Sequence, residues 1–132
     1  PRSSEHYQNF VAAYESLLGE TPDLFAENAY DAMYLIALAM VQGGGNDSLS
    51  VVTHLREVSR PDGTNAIEVN PGSQNFQAAV NARGGDLDYA GASGNIDFDA
   101  NGDVTSGTYL YWEIQLDGQT LVFVDLEEIN FP

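Results

Sequence analysis

Apolar residues recur at three- and four-residue intervals up to about residue 84, and from Leu87 onward they recur at every second position. Such a chain is built from helices first and strands afterwards, because side chains three or four apart share a helix face while alternate side chains share a strand face. The pattern predicts an α/β unit of about four helices followed by a C-terminal β-hairpin. The chain has 132 residues, 43% of them hydrophobic, and a chain of that size can bury roughly two-thirds of its unfolded surface. No repeat, low-complexity stretch or linker divides it, so residues 1–132 are read as a single domain.

The helices are marked by their caps. Ser3 or Ser4 caps a first helix carrying Phe10, Val11, Tyr14, Leu17 and Leu18 on one face, with Gly19 as its stop. Thr21-Pro22 reads as an N-cap and first-turn proline, opening a central helix that runs to about Gln42 and ends at Gly43-Gly44-Gly45. Phe25, Ala29, Met33, Ile36 and Met40 form its main stripe, widened by Tyr30, Tyr34, Leu38 and Val41. Asn46 or Asp47 caps a third helix with Val51, Leu55 and Val58, stopped by Arg60-Pro61. A short strand is expected over Ala66 to Val69. A fourth helix follows Pro71-Gly72-Ser73, carries Phe76, Ala79 and Val80, and closes at Gly84-Gly85.

Beyond Leu87, Ile96 and Phe98 alternate with Asp97 and Asp99, which predicts a short strand. Leu110, Trp112, Ile114 and Leu116 then alternate with Tyr109, Tyr111, Glu113 and Gln115. Asp117-Gly118 is a two-residue turn signal because both positions tolerate positive φ, and it returns the chain along Thr120 to Leu126.

Composition limits function more than it identifies it. Twenty acidic residues face four basic ones, all arginine, for a formal charge of -16. Nucleic-acid binding needs clustered Lys/Arg, so a nucleic-acid partner is not expected, and anionic membranes are disfavoured for the same reason. The absence of cysteine excludes disulfides, thiol catalysis and thiolate metal sites. The longest apolar stretch, Ala29 to Val41, is interrupted by Asp31 and falls short of the roughly 20 residues a bilayer span requires. The chain begins at Pro1 without a basic-then-apolar leader, so an export signal is expected to have been removed or to lie upstream.

Several residues invite a chemical reading and are better explained structurally. Asp97-x-Asp99-x-Asn101-Gly102-Asp103 matches the first half of an EF-hand loop, but position twelve falls on Thr108 and a strand stands where the motif needs a helix. It reads as a solvated turn. Gly91-Ala-Ser-Gly94 lacks the second glycine of a nucleophile elbow, and no lysine completes a phosphate loop, which leaves a tight turn. His6 and His54 lie in separate helices without a metal-binding partner, and His54 is expected on an exposed helix face. With so many carboxylates, pairs such as Glu127-Glu128 and Asp86/Asp88 carry no catalytic weight. No catalytic residue, metal site or cofactor is assigned. Spacing alone places Phe25, Glu27, Tyr30 and Tyr34 in core packing, and Tyr109, Tyr111 and Trp112 in sheet packing.

Taken together, Phe10-x-x-x-Tyr14, Pro22-x-x-Phe25-Ala26-x-x-Ala29-Tyr30-Asp31-Ala32, Val58-Ser59-x-Pro61-x-Gly63-Thr64, the block Gly91 to Val104 and Gly107-x-Tyr109-x-x-Trp112 resemble, in order and spacing, the late part of the type 1 periplasmic solute-binding proteins. This family serves branched-chain amino acid transporters and also supplies receptor ectodomains. The resemblance implies two doubly wound lobes that close on a solute by hinge motion, of which this chain is a partial lobe. It implies a non-enzymatic solute-binding component of an ABC transporter, with an amino acid or similar small polar solute and a permease as partners. It also implies a periplasmic or extracellular location, with which a lipid anchor on the full-length protein is compatible. A ligand-sensing ectodomain of the same fold is the alternative. Phe25 is the implied contact to the bound side chain, and Glu27 could meet a ligand ammonium. The segments that hold a ligand's carboxylate in the family have no counterpart here, so the chain alone is expected to bind weakly or not at all. Unpaired strand edges would allow a homodimer, including one formed by exchanging the hairpin.

Overall fold

The computed structural model describes residues 2–131. Helices α1 (Glu5–Leu18), α2 (Ala26–Gly43) and α3 (Ser48–Ser59) precede strand β1 (Ile67–Val69), helix α4 (Ser73–Asn81), strand β2 (Leu87–Tyr89) and the long strands β3 (Gly107–Asp117) and β4 (Thr120–Phe131). β1 and β2 pair in parallel with Glu68 opposite Asp88, and α4 makes the crossover between them. β3 and β4 form a separate antiparallel ribbon. Helices followed by a C-terminal hairpin is the arrangement the periodicity predicts, the parallel β1–β2 pair joined through α4 is not, and the whole fits a partial lobe of the type 1 binding-protein fold.

The core lies where α2, α3, α4 and the parallel strands meet. Tyr34, Leu35, Leu38 and Ala39 of α2 pack with Val58 of α3, Ala79 of α4, and Val69, Leu87 and Tyr89 of the strands. Tyr34 stacks on Tyr89 with ring centres 4.7 Å apart and meets Phe76 edge-on. Its hydroxyl donates to the Gly72 carbonyl at 2.8 Å, while the Tyr30 hydroxyl accepts the Gly72 amide at 2.9 Å. The two tyrosines thus fix the turn that leads into α4. Gly72 has φ 117°, which an L side chain would strain against. Burial holds the Tyr34 hydroxyl protonated far above its ordinary range, so it remains a donor at all relevant pH.

Asp31 is the buried acidic side chain of this region, with Ser59 of α3 the other buried polar one among the described residues. The Asp31 carboxylate is 1% exposed and accepts three hydrogen bonds, from the Tyr89 hydroxyl at 2.7 Å, the Ala92 amide at 2.9 Å and the Ser93 amide at 2.7 Å. A Cβ on Gly91 would lie 2.6 Å from an Asp31 oxygen, which is why a glycine stands there. Burial and the adjacent Asp31 carboxylate together hold the Tyr89 hydroxyl protonated.

The structure corrects several expectations. α2 begins at Ala26 and not at Thr21-Pro22, because Phe25 adopts φ 70° and a left-handed residue cannot lie inside a right-handed helix. Its buried face is Asp31, Tyr34, Leu35, Leu38 and Ala39; Tyr34 and Leu38 are buried as expected, whereas in the main stripe Phe25 and Met33 are 66% and 67% exposed and Ile36 and Met40 are half-buried. Ser4, not Ser3, caps α1, of which Phe10 alone is buried, while Leu17 and Leu18 face outward. α4 ends at Asn81, short of Gly84-Gly85. Ile96 to Asp99 is a loop held by single bridges, Ala90 to Asn95 and Phe98 to Val104, because no neighbouring strand runs beside it. The hairpin turn is Gly118-Gln119, one residue later than expected, with positive φ only at Gly118 as a type II′ turn requires. His54 is half-buried, with Nδ1 donating to the Ser50 carbonyl at 2.8 Å.

Two carboxylates test this arrangement. Asp31→Ala leaves a buried hydroxyl and two amides unpaired and is expected to cost about 3 kcal/mol, read from the urea unfolding midpoint, with Asp31→Asn costing less. Asp88 is pushed above the ordinary carboxylate range by burial and then by Asp97, Glu68 and Asp86. Its raised folded-state pKa contributes stability below the unfolded value that is lost as pH rises, so at neutral pH the ionised group weakens the fold. Asp88→Asn is expected to stabilise by about 0.5 kcal/mol at neutral pH, the size of a like-charge cross-strand pair. The gain should vanish below the carboxylate range, as paired urea titrations at the two pH values would show.

Candidate ligand cleft

The N-terminus of α2, the Gly91–Gly94 turn and the base of the hairpin enclose a cleft of about 430 Å³. Phe25 stands just before α2, which contributes Glu27 and Asn28, the turn contributes Ala92 and Ser93, and the hairpin contributes Thr108, Tyr109, Leu110, Trp112 and Glu128. Arg2, Tyr7 and Leu24 complete the lining. Both ligand residues implied by the sequence resemblance, Phe25 and Glu27, therefore line the same wall.

Phe25 is the one described non-glycine residue with positive φ. The left-handed conformation costs a side-chain-bearing residue about 1–2 kcal/mol, and Phe25 recovers little of this by burial. Its carbonyl accepts the Ala29 amide at 3.0 Å, while the Ala26 amide turns back to Asp23 at 3.1 Å. The ring is thereby directed away from the core stripe that helical spacing would assign it. Packing does not account for the strain at Phe25, since its ring is exposed.

The opposite wall is held in place by polar contacts. The Asp31 carboxylate fixes the Ala92 and Ser93 amides, so Ser93 reaches the cleft from a rigid turn. The Arg2 guanidinium pairs with Asp125, and its backbone amide donates to Glu128 at 2.6 Å, tying the start of the chain to β4. Tyr7 is raised above its ordinary range chiefly by burial, with Arg2 opposing and Glu27 and Asp125 adding to the shift, so it stays a neutral donor. The cleft thus combines aromatic surface with two carboxylates, Glu27 of α2 and Glu128 of β4, several hydroxyls and one paired guanidinium. This suits a small ligand with an apolar part and a polar or charged end.

Sequence reasoning missed Ser93, Thr108 and Tyr7, and it assigned Tyr109, Tyr111 and Trp112 to sheet packing. Tyr109 does stack on Phe131 at 5.0 Å and Trp112 meets Phe123 edge-on at 4.9 Å, yet all three remain exposed. The lining residues come from segments scattered between positions 2 and 128, and no local motif records that meeting. The acidic turn is self-contained: Asp99 accepts the Asn101 and Asp103 amides at 2.7 and 3.0 Å, bonds that hold its carboxyl below the ordinary range. Among the described residues no group of three or more His, Cys, Asp or Glu is placed to hold a metal ion. Asp86 is occupied in capping the Asp62 and Gly63 amides, each at 2.9 Å.

Backbone strain at Phe25 gives substitutions of opposite sign. Phe25→Gly is expected to raise stability by about 0.5 kcal/mol, the relief of the left-handed penalty less the entropy of a glycine. Phe25→Val, β-branched, is expected to lower it. Urea midpoints of the two variants, moving in opposite directions from the parent, are the check.

Residues 1–117 match the family model described as receptor family ligand binding region. That span covers every helix, the parallel strands and β3, and it includes all but one of the residues lining the cleft. No curated protein and no solved structure matches the chain. No described helix is long and apolar enough to cross a membrane. With the match covering most of its length and the fold of a partial lobe beneath it, the chain belongs to the ligand-binding family of type 1 periplasmic-binding and receptor proteins.

Proposed function

We propose that the chain is part of an extracytoplasmic solute-binding component of an ABC transporter, and that its solute is an amino acid with an apolar side chain. The reading rests on Phe25, an aromatic held in a strained backbone conformation and exposed on the cleft wall. A ring so placed offers an apolar surface to a ligand side chain. Glu27, two residues further along the chain on the same wall, offers a carboxylate to an α-ammonium group. Neither residue performs chemistry, and the protein acts by binding and release to a permease in the periplasm or outside the cell.

The chain supplies one wall of the site, so its own affinity is weak and the tight site needs a second lobe closing over the solute. A second reading, a ligand-sensing ectodomain that passes closure to a signalling partner, is favoured by the word receptor in the family's description. The two readings share the cleft and differ in what the bound state touches.

Titration of the isotope-labelled chain with L-leucine is expected to shift the amide resonances of Phe25, Glu27 and Ser93 with a dissociation constant in the millimolar range, about -4 kcal/mol. Phe25→Ala should abolish the shifts, and glucose should produce none. Shifts confined to other surfaces, or no response to any amino acid, would remove the amino-acid reading. In the source cell, loss of leucine uptake on deleting the protein supports the transporter, whereas intact uptake with a lost response to leucine supports the sensor.

A further inference from the structure

The charged groups that reach the cleft are unevenly matched. Glu27 in the first turn of α2 and Glu128 of β4 both line it, and both are half-buried. Among the described residues of the lining, Arg2 is the one with a cationic side chain, and Asp125 holds its guanidinium in an ion pair. The Arg2 backbone amide is already donated to Glu128 at 2.6 Å. Other donors that could receive an anion are engaged in the same way. The Ala92 and Ser93 amides both point to Asp31, and the Glu27 carboxylate offsets the positive end of α2. The uncharged lining includes the rings of Tyr7, Phe25, Tyr109 and Trp112. Aromatic faces carry partial negative charge, so they attract an ammonium group and not a carboxylate.

We propose that this wall takes the ammonium end of its ligand, and that Glu128 is a specificity-determining residue beside Glu27. The inference rests on the reading of the cleft as a solute site and deepens it, because selectivity then follows the charge of the ligand as well as its apolar part. An ammonium group brought to this wall meets two carboxylates and a set of rings. A carboxylate brought to the same place gives up water, faces like charge and finds the neighbouring donors engaged. The class selected is the alkylammonium ion, of which the α-ammonium end of an amino acid is one instance. For a single hydrocarbon skeleton, a cation without a carboxylate therefore binds best, the zwitterion less well and the anion least.

The test is titration of the isotope-labelled chain with leucinamide, L-leucine and N-acetyl-leucine at about pH 6, where an α-amino group stays protonated. The Phe25 and Ser93 amide resonances report on the cleft. Leucinamide is expected to bind about tenfold more tightly than leucine. N-acetyl-leucine should produce no shift, and molar salt should narrow the preference by screening. Glu128→Gln keeps an oxygen for the Arg2 amide and removes the charge; this variant and Glu27→Gln should each reduce the leucinamide preference several-fold. Glu15→Gln makes the same charge change on the exposed side of α1, about two turns beyond Tyr7, and should leave the preference unchanged. A preference that is undiminished in Glu128→Gln overturns the proposal. So does one lost equally in Glu15→Gln, since the overall charge of -16 would then be the attraction. N-acetyl-leucine shifting the same resonances as strongly as leucinamide overturns it too, while leaving the cleft a solute site. Silence with all three ligands overturns the proposal together with the amino-acid reading on which it rests.

Discussion

The Asp31 carboxylate is the contact on which the site depends. It is buried between α2 and the segment that follows β2, and its three hydrogen bonds join helix, strand and turn. A carboxylate without partners could not remain there, because removing it from water costs several kcal/mol. Tyr89 supplies one partner and is positioned by stacking on Tyr34, so the polar contact relies on the aromatic core around it. The Ala92 and Ser93 amides supply the others, and in doing so fix the turn that forms one side of the cleft. Packing and site geometry are therefore coupled through one side chain. Gly91 has no Cβ because that carboxylate occupies the space.

A similar coupling operates at the other wall. α2 is held by its buried face, and the left-handed backbone at Phe25 directs the ring out of the helix and onto the cleft. The tyrosines of α2 hold the turn before α4, and Ser59 at the end of α3 donates to the Arg56 carbonyl and accepts the Phe98 amide. Each helix is thus tied at its end to the loop beside it. The hairpin is joined differently, through Arg2 to Asp125 and Glu128 and through the residues lining the cleft. It has few contacts with the core, and this leaves its distal face open.

Much of the fold was legible because local rules decide it. Caps and stops placed α1 and α3 closely: Ser4 accepts the Tyr7 amide and Asp47 the Ser50 amide, as short polar side chains do at helix starts. Alternation placed β3 and the start of β4, which continues past the expected Leu126 to Phe131. The failures have common physical causes. Phe25 satisfied the helical period but not the helical backbone, since its φ is set by the turn from Asp23 and not by its spacing. Ile96 and Phe98 satisfied the strand period but found no strand to pair with, and alternation cannot report a missing neighbour. Asp31 was visible only as an interruption in an apolar stretch, because its partners lie about sixty residues away.

The sequence by itself determined that helices precede a C-terminal hairpin and that no cysteine chemistry is available. These follow from periodicity, composition and the order of short motifs, which act within a few residues or over the whole chain at once. Tertiary structure alone decided which face of α2 is buried, which residues complete the cleft, and that the hairpin's apolar face stays uncovered. Those outcomes depend on contacts between distant segments, where one buried carboxylate or one left-handed residue outweighs the local pattern.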